Sequence, residues 1–107
     1  MNTDTERLAQ LVLQTLAAQQ VYFKTKRPGT LDAAKELEEQ LRQMAALVSG
    51  PLGSLTTRTL NRQKDFFATG NRSLMYEAKQ LERQLKAAAN ETLHPKQEQL
   101  TLFGGDQ

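Results

Sequence analysis

Apolar residues recur three and four positions apart along most of the chain, the spacing of one helix face rather than the alternation of a strand. In the first stretch Leu8, Leu11, Val12, Leu16 and Val21 to Phe23 keep that spacing, while Arg7, Gln10, Gln14 and Gln19 fall mostly elsewhere. Thr3 followed by Glu6 has the arrangement of a capping box, in which the two residues satisfy free N–H groups at a helix start. The pattern predicts a helix over residues 4–25. Pro28 and Gly29 break it, and Thr30 is placed to cap a second helix in which Ala34, Leu37, Leu41, Met44 and Val48 form a narrow apolar seam. Lys35, Glu36, Glu38, Glu39, Arg42 and Gln43 occupy its remaining surface, and Gly50 with Pro51 ends it.

Leu52, Leu55, Leu60, Phe66 and Phe67 predict a third helix over 54–68, although Gly53, Thr56, Thr57 and Thr59 are poor helix formers. After Gly70 and Asn71, Ser73 is expected to cap a fourth helix. There Leu74, Ala78, Leu81, Leu85 and Ala88 repeat the seam of the second helix, and Pro95 stops it after Leu93. Residues 96–107 include Gly104 and Gly105 and have no helical period, so residues 95–107 read as a flexible C-terminal tail.

Displacing the sequence by 44 residues places Leu11 on Leu55, Thr15 on Thr59, Leu16 on Leu60, Gln19 on Gln63, Phe23 on Phe67 and Thr25 on Thr69. The match continues without a gap through Ala34 on Ala78, Lys35 on Lys79, Leu37 on Leu81, Glu38 on Glu82, Leu41 on Leu85 and Ala45 on Ala89. Two unrelated amphipathic stretches do not share so many identities in register, so the chain is an internal duplication. One hairpin cannot bury its seam alone, whereas two stacked hairpins close a common core. The expected architecture is therefore all-α. It is a four-helix bundle of two tandem helix-turn-helix hairpins, about 4–49 and 52–93, in a single domain over 1–94.

The matching leucines and phenylalanines are expected in that core. Glu38 and Glu82, each four residues ahead of Arg42 and Lys86, read as helix-surface ion pairs. Gln19/Gln63 and Thr25/Thr69 are not explained by apolar packing. Either they cap helix ends and bridge neighbouring elements, or they form a polar patch repeated in each half.

Composition narrows the chemistry. The chain has 107 residues, a net charge of +2, no cysteine and a single histidine, His94. That length excludes a large two-domain enzyme, and the lack of cysteine excludes disulfide frameworks and thiolate nucleophiles. Glu91 and His94 have the i, i+3 spacing of a helical di-metal motif, but such a centre needs two of these plus further inward carboxylates. No metal, cofactor or catalytic residue is therefore assigned, and the expected protein is not an enzyme. Lys24, Lys26 and Arg27 flank Tyr22 and Phe23, and Arg58, Arg62 and Lys64 precede Phe66 and Phe67, the residue types that contact phosphates and stack on bases. Because the rings continue the apolar face and the net charge is small, direct nucleic-acid binding is not expected. No apolar stretch approaches the roughly 20 residues that span a bilayer, and no export signal opens the chain, so the expected location is cytoplasmic.

The pattern Gln19-x-x-Tyr22-Phe23-Lys24-Thr25, followed by Ala34-Lys35-x-Leu37-Glu38 and Leu41, resembles short uncharacterised helical-hairpin proteins encoded by bacteria, phages and mobile elements. The resemblance covers residues 8–90 and implies a fold without implying an activity. The second unit departs from it at Ala68 and Gly70, where the first has Lys24 and Lys26.

Beyond the fourth helix, Gln99-Leu100-Thr101-Leu102-Phe103 resembles the pentapeptide Gln-Leu-x-Leu-Phe by which bacterial polymerases, mismatch-repair proteins and other replication factors attach to the DNA sliding clamp. Every specified position is met. The resemblance implies that the Gln99 amide bonds at a pocket edge, Leu100 lies beside it, and Leu102 with Phe103 fills the apolar pocket. The expected partner is therefore a bacterial sliding clamp, reached by a replication or repair accessory or inhibitor. The competing expectation is a structural or homo-oligomerising bundle, a homodimer included, of unknown partner, whose tail packs on its own core.

Overall fold

The computed structural model describes residues 3–94, which form four antiparallel helices joined by short turns. They are α1 (Thr3–Thr25), α2 (Pro28–Leu47), α3 (Pro51–Thr69) and α4 (Arg72–Leu93). Each two- or three-residue connection reverses the chain, so α1 and α3 run in the same direction and α2 and α4 against them. Every sequential pair packs together, α4 closes back on α1, and α1 and α3 also meet across the centre. The result is a bundle of two hairpins.

Burial repeats with the 44-residue period. Leu8 matches Leu52, Ala34 matches Ala78, Leu41 matches Leu85 and Ala45 matches Ala89, and all eight are buried. Burying each large aliphatic side chain contributes about 1.5 to 3 kcal/mol, the main favourable term for so small a domain. The two units are thus related by an approximate two-fold axis running along the bundle between α1 and α3.

The polar residues that weakened the third helix on paper are part of this core. Thr15, Thr56 and Thr59 are buried, and each hydroxyl donates to a carbonyl one turn back, that of Leu11, Leu52 and Leu55, at 2.7 to 2.8 Å. A threonine that satisfies its own hydroxyl presents its methyl to its neighbours and can be buried at little cost. Gly53 is buried because α3 starts against the end of α2. A Cβ there would collide with the Val48 carbonyl oxygen. Among the described residues no buried side-chain polar atom lacks a hydrogen-bond partner.

Helix boundaries differ from the sequence expectation at every start, α1 beginning one residue early with Thr3 inside the helix rather than ahead of it. α2 begins with Pro28 at its first turn behind an extended Arg27, and Thr30 lies inside the helix, donating to the Arg27 carbonyl at 2.7 Å. A proline at the first helical position has φ preset for the helix and brings one unpaired N–H fewer, so the helix starts there without a side-chain cap. For the same reason α3 begins at Pro51, three residues before the predicted start. Asn71, not Ser73, caps α4, its side-chain oxygen accepting from the Ser73 and Leu74 backbone N–H groups at 2.8 and 3.4 Å.

The hairpin turns are copies of one another. Lys26 and Gly70, 44 positions apart, both adopt left-handed backbone, with φ of 56° and 70°. The N–H of each closes the last turn of its helix onto the Tyr22 or Phe66 carbonyl at 2.6 Å. Thr25 and Thr69 also act alike, donating to the Val21 and Asp65 carbonyls at 2.9 Å and accepting from the Arg27 and Asn71 N–H groups. These threonines are helix-end caps, the first of the two roles open to them.

Candidate functional site

Gln19 and Gln63 meet on the approximate two-fold axis. Each amide nitrogen donates to the other's oxygen at 3.1 Å, and each also donates outward at 2.7 Å, Gln19 to Glu38 and Gln63 to Glu82. Both amide N–H bonds and both amide oxygens are therefore used, within two buried side chains. A shift of one hairpin along the axis by a helical turn would strand four buried polar groups, so this quartet fixes the relative height of the two units.

The quartet corrects two expectations. Glu38 and Glu82 are half-buried acceptors between helices rather than solvent-facing partners of Arg42 and Lys86. The ion pairs found among the described residues are instead those of Arg62 with Asp65 at 3.5 Å and with Glu77 at 3.1 Å. Arg42 donates to Asn61 at 3.0 Å.

One turn beyond the quartet, toward the two hairpin turns, the aromatic residues form a row rather than a core. Tyr22, Phe23, Phe67 and Phe66 stand in that order, with successive ring centroids 5.7, 6.2 and 5.5 Å apart. Phe23 and Phe67 are 42% and 57% exposed, which overturns their assignment to the core. The physical reason is position: both lie in the last turn of their helices, beyond the Gln19/Gln63 layer, and stack on each other across the axis rather than into the aliphatic core. The Lys26 ammonium sits 5.3 Å from both the Tyr22 and the Phe23 ring centres.

Two grooves flank this axis at matching places. One, about 580 Å³, lies between α1 and α4 over Leu13, Leu16, Ala17 and Phe23, with Lys79, Arg83 and Lys86 along its α4 wall. The other, about 460 Å³, lies between α2 and α3 over Leu60 and Phe67, with Lys35, Glu39 and Arg42 along the α2 wall. No conserved-looking motif marks either groove in the sequence. The signal that finds the first is the set of positions at which the two units differ.

The sequence-predicted partner-binding residues Gln99, Leu100, Leu102 and Phe103 lie outside the described residues. Glu91 and His94 sit at the end of α4, and among the described residues no cluster of three or more histidines or carboxylates is arranged to hold a metal ion. Nor is any described helix long and apolar enough to cross a membrane. Compared with known protein families, curated proteins and solved structures, the chain matches none.

Proposed function

We propose that this chain is a non-enzymatic interaction module that binds the bacterial DNA sliding clamp through Gln99, Leu100, Leu102 and Phe103, as a replication or repair accessory or as an inhibitor competing for the clamp. The observation that carries this reading is the pentapeptide itself, complete at every specified position. Supporting it, residues 3–94 bury their seams against one another and leave no buried side-chain polar atom unpartnered. The pentapeptide follows the last residue of α4, Leu93, by only a few positions. Filling an apolar pocket with Leu102 and Phe103 supplies about 3 to 5 kcal/mol before binding costs, which suits weak to moderate affinity.

Calorimetry of the full chain with a bacterial sliding clamp tests the reading. Binding at micromolar concentration or better that disappears in the Leu102→Ala, Phe103→Ala double variant is the expected result. A folded chain that does not bind refutes it. The second reading, a bundle that acts through its helical surface alone, is favoured by one observation: Phe23 and Phe67 are kept in both units although both are exposed.

A further inference from the structure

The internal duplication makes each groove a control for the other. On the α2/α3 side, Arg42 of the groove wall donates to Asn61 of α3 at 3.0 Å, a bond that bridges the two helices and holds the guanidinium. The matching positions on the α1/α4 side are Lys86 and Ala17, and an alanine offers no acceptor, so no such bridge forms. Three further differences run the same way. The positions matching Leu13, Gln20 and Arg83 of the α1/α4 groove are Thr57, Lys64 and Glu39, so the α1/α4 floor is more aliphatic and its cations are gathered on one wall.

We infer that the α1/α4 groove is a docking site for an amphipathic helix of a partner protein, one with an apolar stripe flanked by carboxylates. The stripe lies on Leu13, Leu16 and Ala17 with Phe23 at its end, and the carboxylates face Lys79, Arg83 and Lys86. Those three residues recur four and three positions apart on α4, so they form one exposed ridge. None of them is in an ion pair among the described residues. The carboxylate on that wall, Glu82, is already taken by the Gln63 amide. From Leu13 to Phe23 the floor extends about 15 Å, room for roughly three turns of helix.

Charge decides between the occupants. A second copy docking groove to groove would set Lys79, Arg83 and Lys86 against their own equivalents. A single-stranded nucleic acid would meet the cations, but the floor is aliphatic. Its single ring, Phe23, is already flanked by Tyr22 and Phe67.

The probe is a synthetic helix of about four to five turns, with leucines at i, i+3, i+4 and i+7 spacing and glutamates on both flanks. It is titrated into the isotopically labelled full chain and followed by NMR and calorimetry. Expected are shifts centred on Leu13, Leu16 and Ala17, and affinity reduced at least tenfold by Arg83→Glu with Lys86→Glu. Arg58→Glu, in the separate groove between α3 and α4, should leave it unchanged. A thermal melt of each variant shows that it is folded. The inference is overturned if the same peptide with lysines for glutamates binds equally well or if neither peptide binds. It is also overturned if the charge reversal instead dissociates a dimer of the chain or abolishes binding of a single-stranded oligonucleotide. It falls as well if the probe binds only after Leu102→Ala, Phe103→Ala, which would make the chain's own tail the occupant. No clamp is present in this experiment, so its failure leaves the clamp reading standing, and the reverse.

Discussion

Replacing Gln19 with methionine, which has nearly the same length and volume, leaves Gln63 buried beside a thioether. Its amide oxygen loses the Gln19 N–H that it accepted at 3.1 Å, and one of its own N–H groups loses the Gln19 oxygen. The other N–H keeps Glu82 at 2.7 Å. Two buried polar groups without partners cost about 1 to 3 kcal/mol each, so Gln19→Met should destabilise the bundle by about 2 to 6 kcal/mol. Gln63→Met should do the same by symmetry. The double variant removes both amides and strands nothing in the core, because Glu38 and Glu82 are half-exposed and bond to water instead. It should therefore be no less stable than either single variant, giving a coupling energy of at least about 2 kcal/mol. Chemical denaturation of the four proteins measures this directly. If the two single costs add to within about 0.5 kcal/mol in the double variant, the amides do not depend on one another and the quartet is not a unit.

Gly53→Ala gains about 1 kcal/mol of helix propensity but drives a Cβ into the Val48 carbonyl, which as backbone cannot turn aside, so a net loss of about 1 to 2 kcal/mol is expected in thermal melts. Gly29→Ala, in the first turn of α2 with nothing within 4 Å of its added Cβ, should instead stabilise by about 0.4 to 1 kcal/mol. Gly70→Ala also meets nothing within 4 Å, yet at φ of 70° it should cost about 1 to 2 kcal/mol from backbone conformation alone. A melting temperature unchanged by Gly70→Ala would show that the turn after α3 adopts another conformation.

The sequence by itself determined the helices, their number and their pairing, because the three-four spacing of Leu37, Leu41, Met44 and Val48, and of Ala78, Leu81, Leu85 and Ala88, is a local property of a 3.6-residue repeat. It also determined the two-fold relation, since identity at 44-residue spacing needs no coordinates to be seen. The ends were legible only where a local rule acts alone. Gly70 punctuates without competition, whereas Thr30 and Ser73 had the right chemistry but were displaced by Pro28 and Asn71.

Tertiary structure decided the rest. Phe23 and Leu16 lie on the same stripe by spacing, but Leu16 packs against the core whereas Phe23 stacks on Phe67 and stays exposed, a difference that only the packing of the two hairpins sets. Glu38 has an arginine four residues on and an amide from another helix within 2.7 Å, and only the packing of α1 on α2 reveals which it takes. Gly53 reads as a helix breaker until the backbone of α2 is seen against it. The α1/α4 groove is the same kind of fact. Ala17 and Asn61 are unremarkable in a helix, and the difference between them matters only because Arg42 lies across from one and Lys86 across from the other. Periodicity reports which face a residue occupies, whereas contacts between elements depend on distances between helices, and those exist only once the chain has packed.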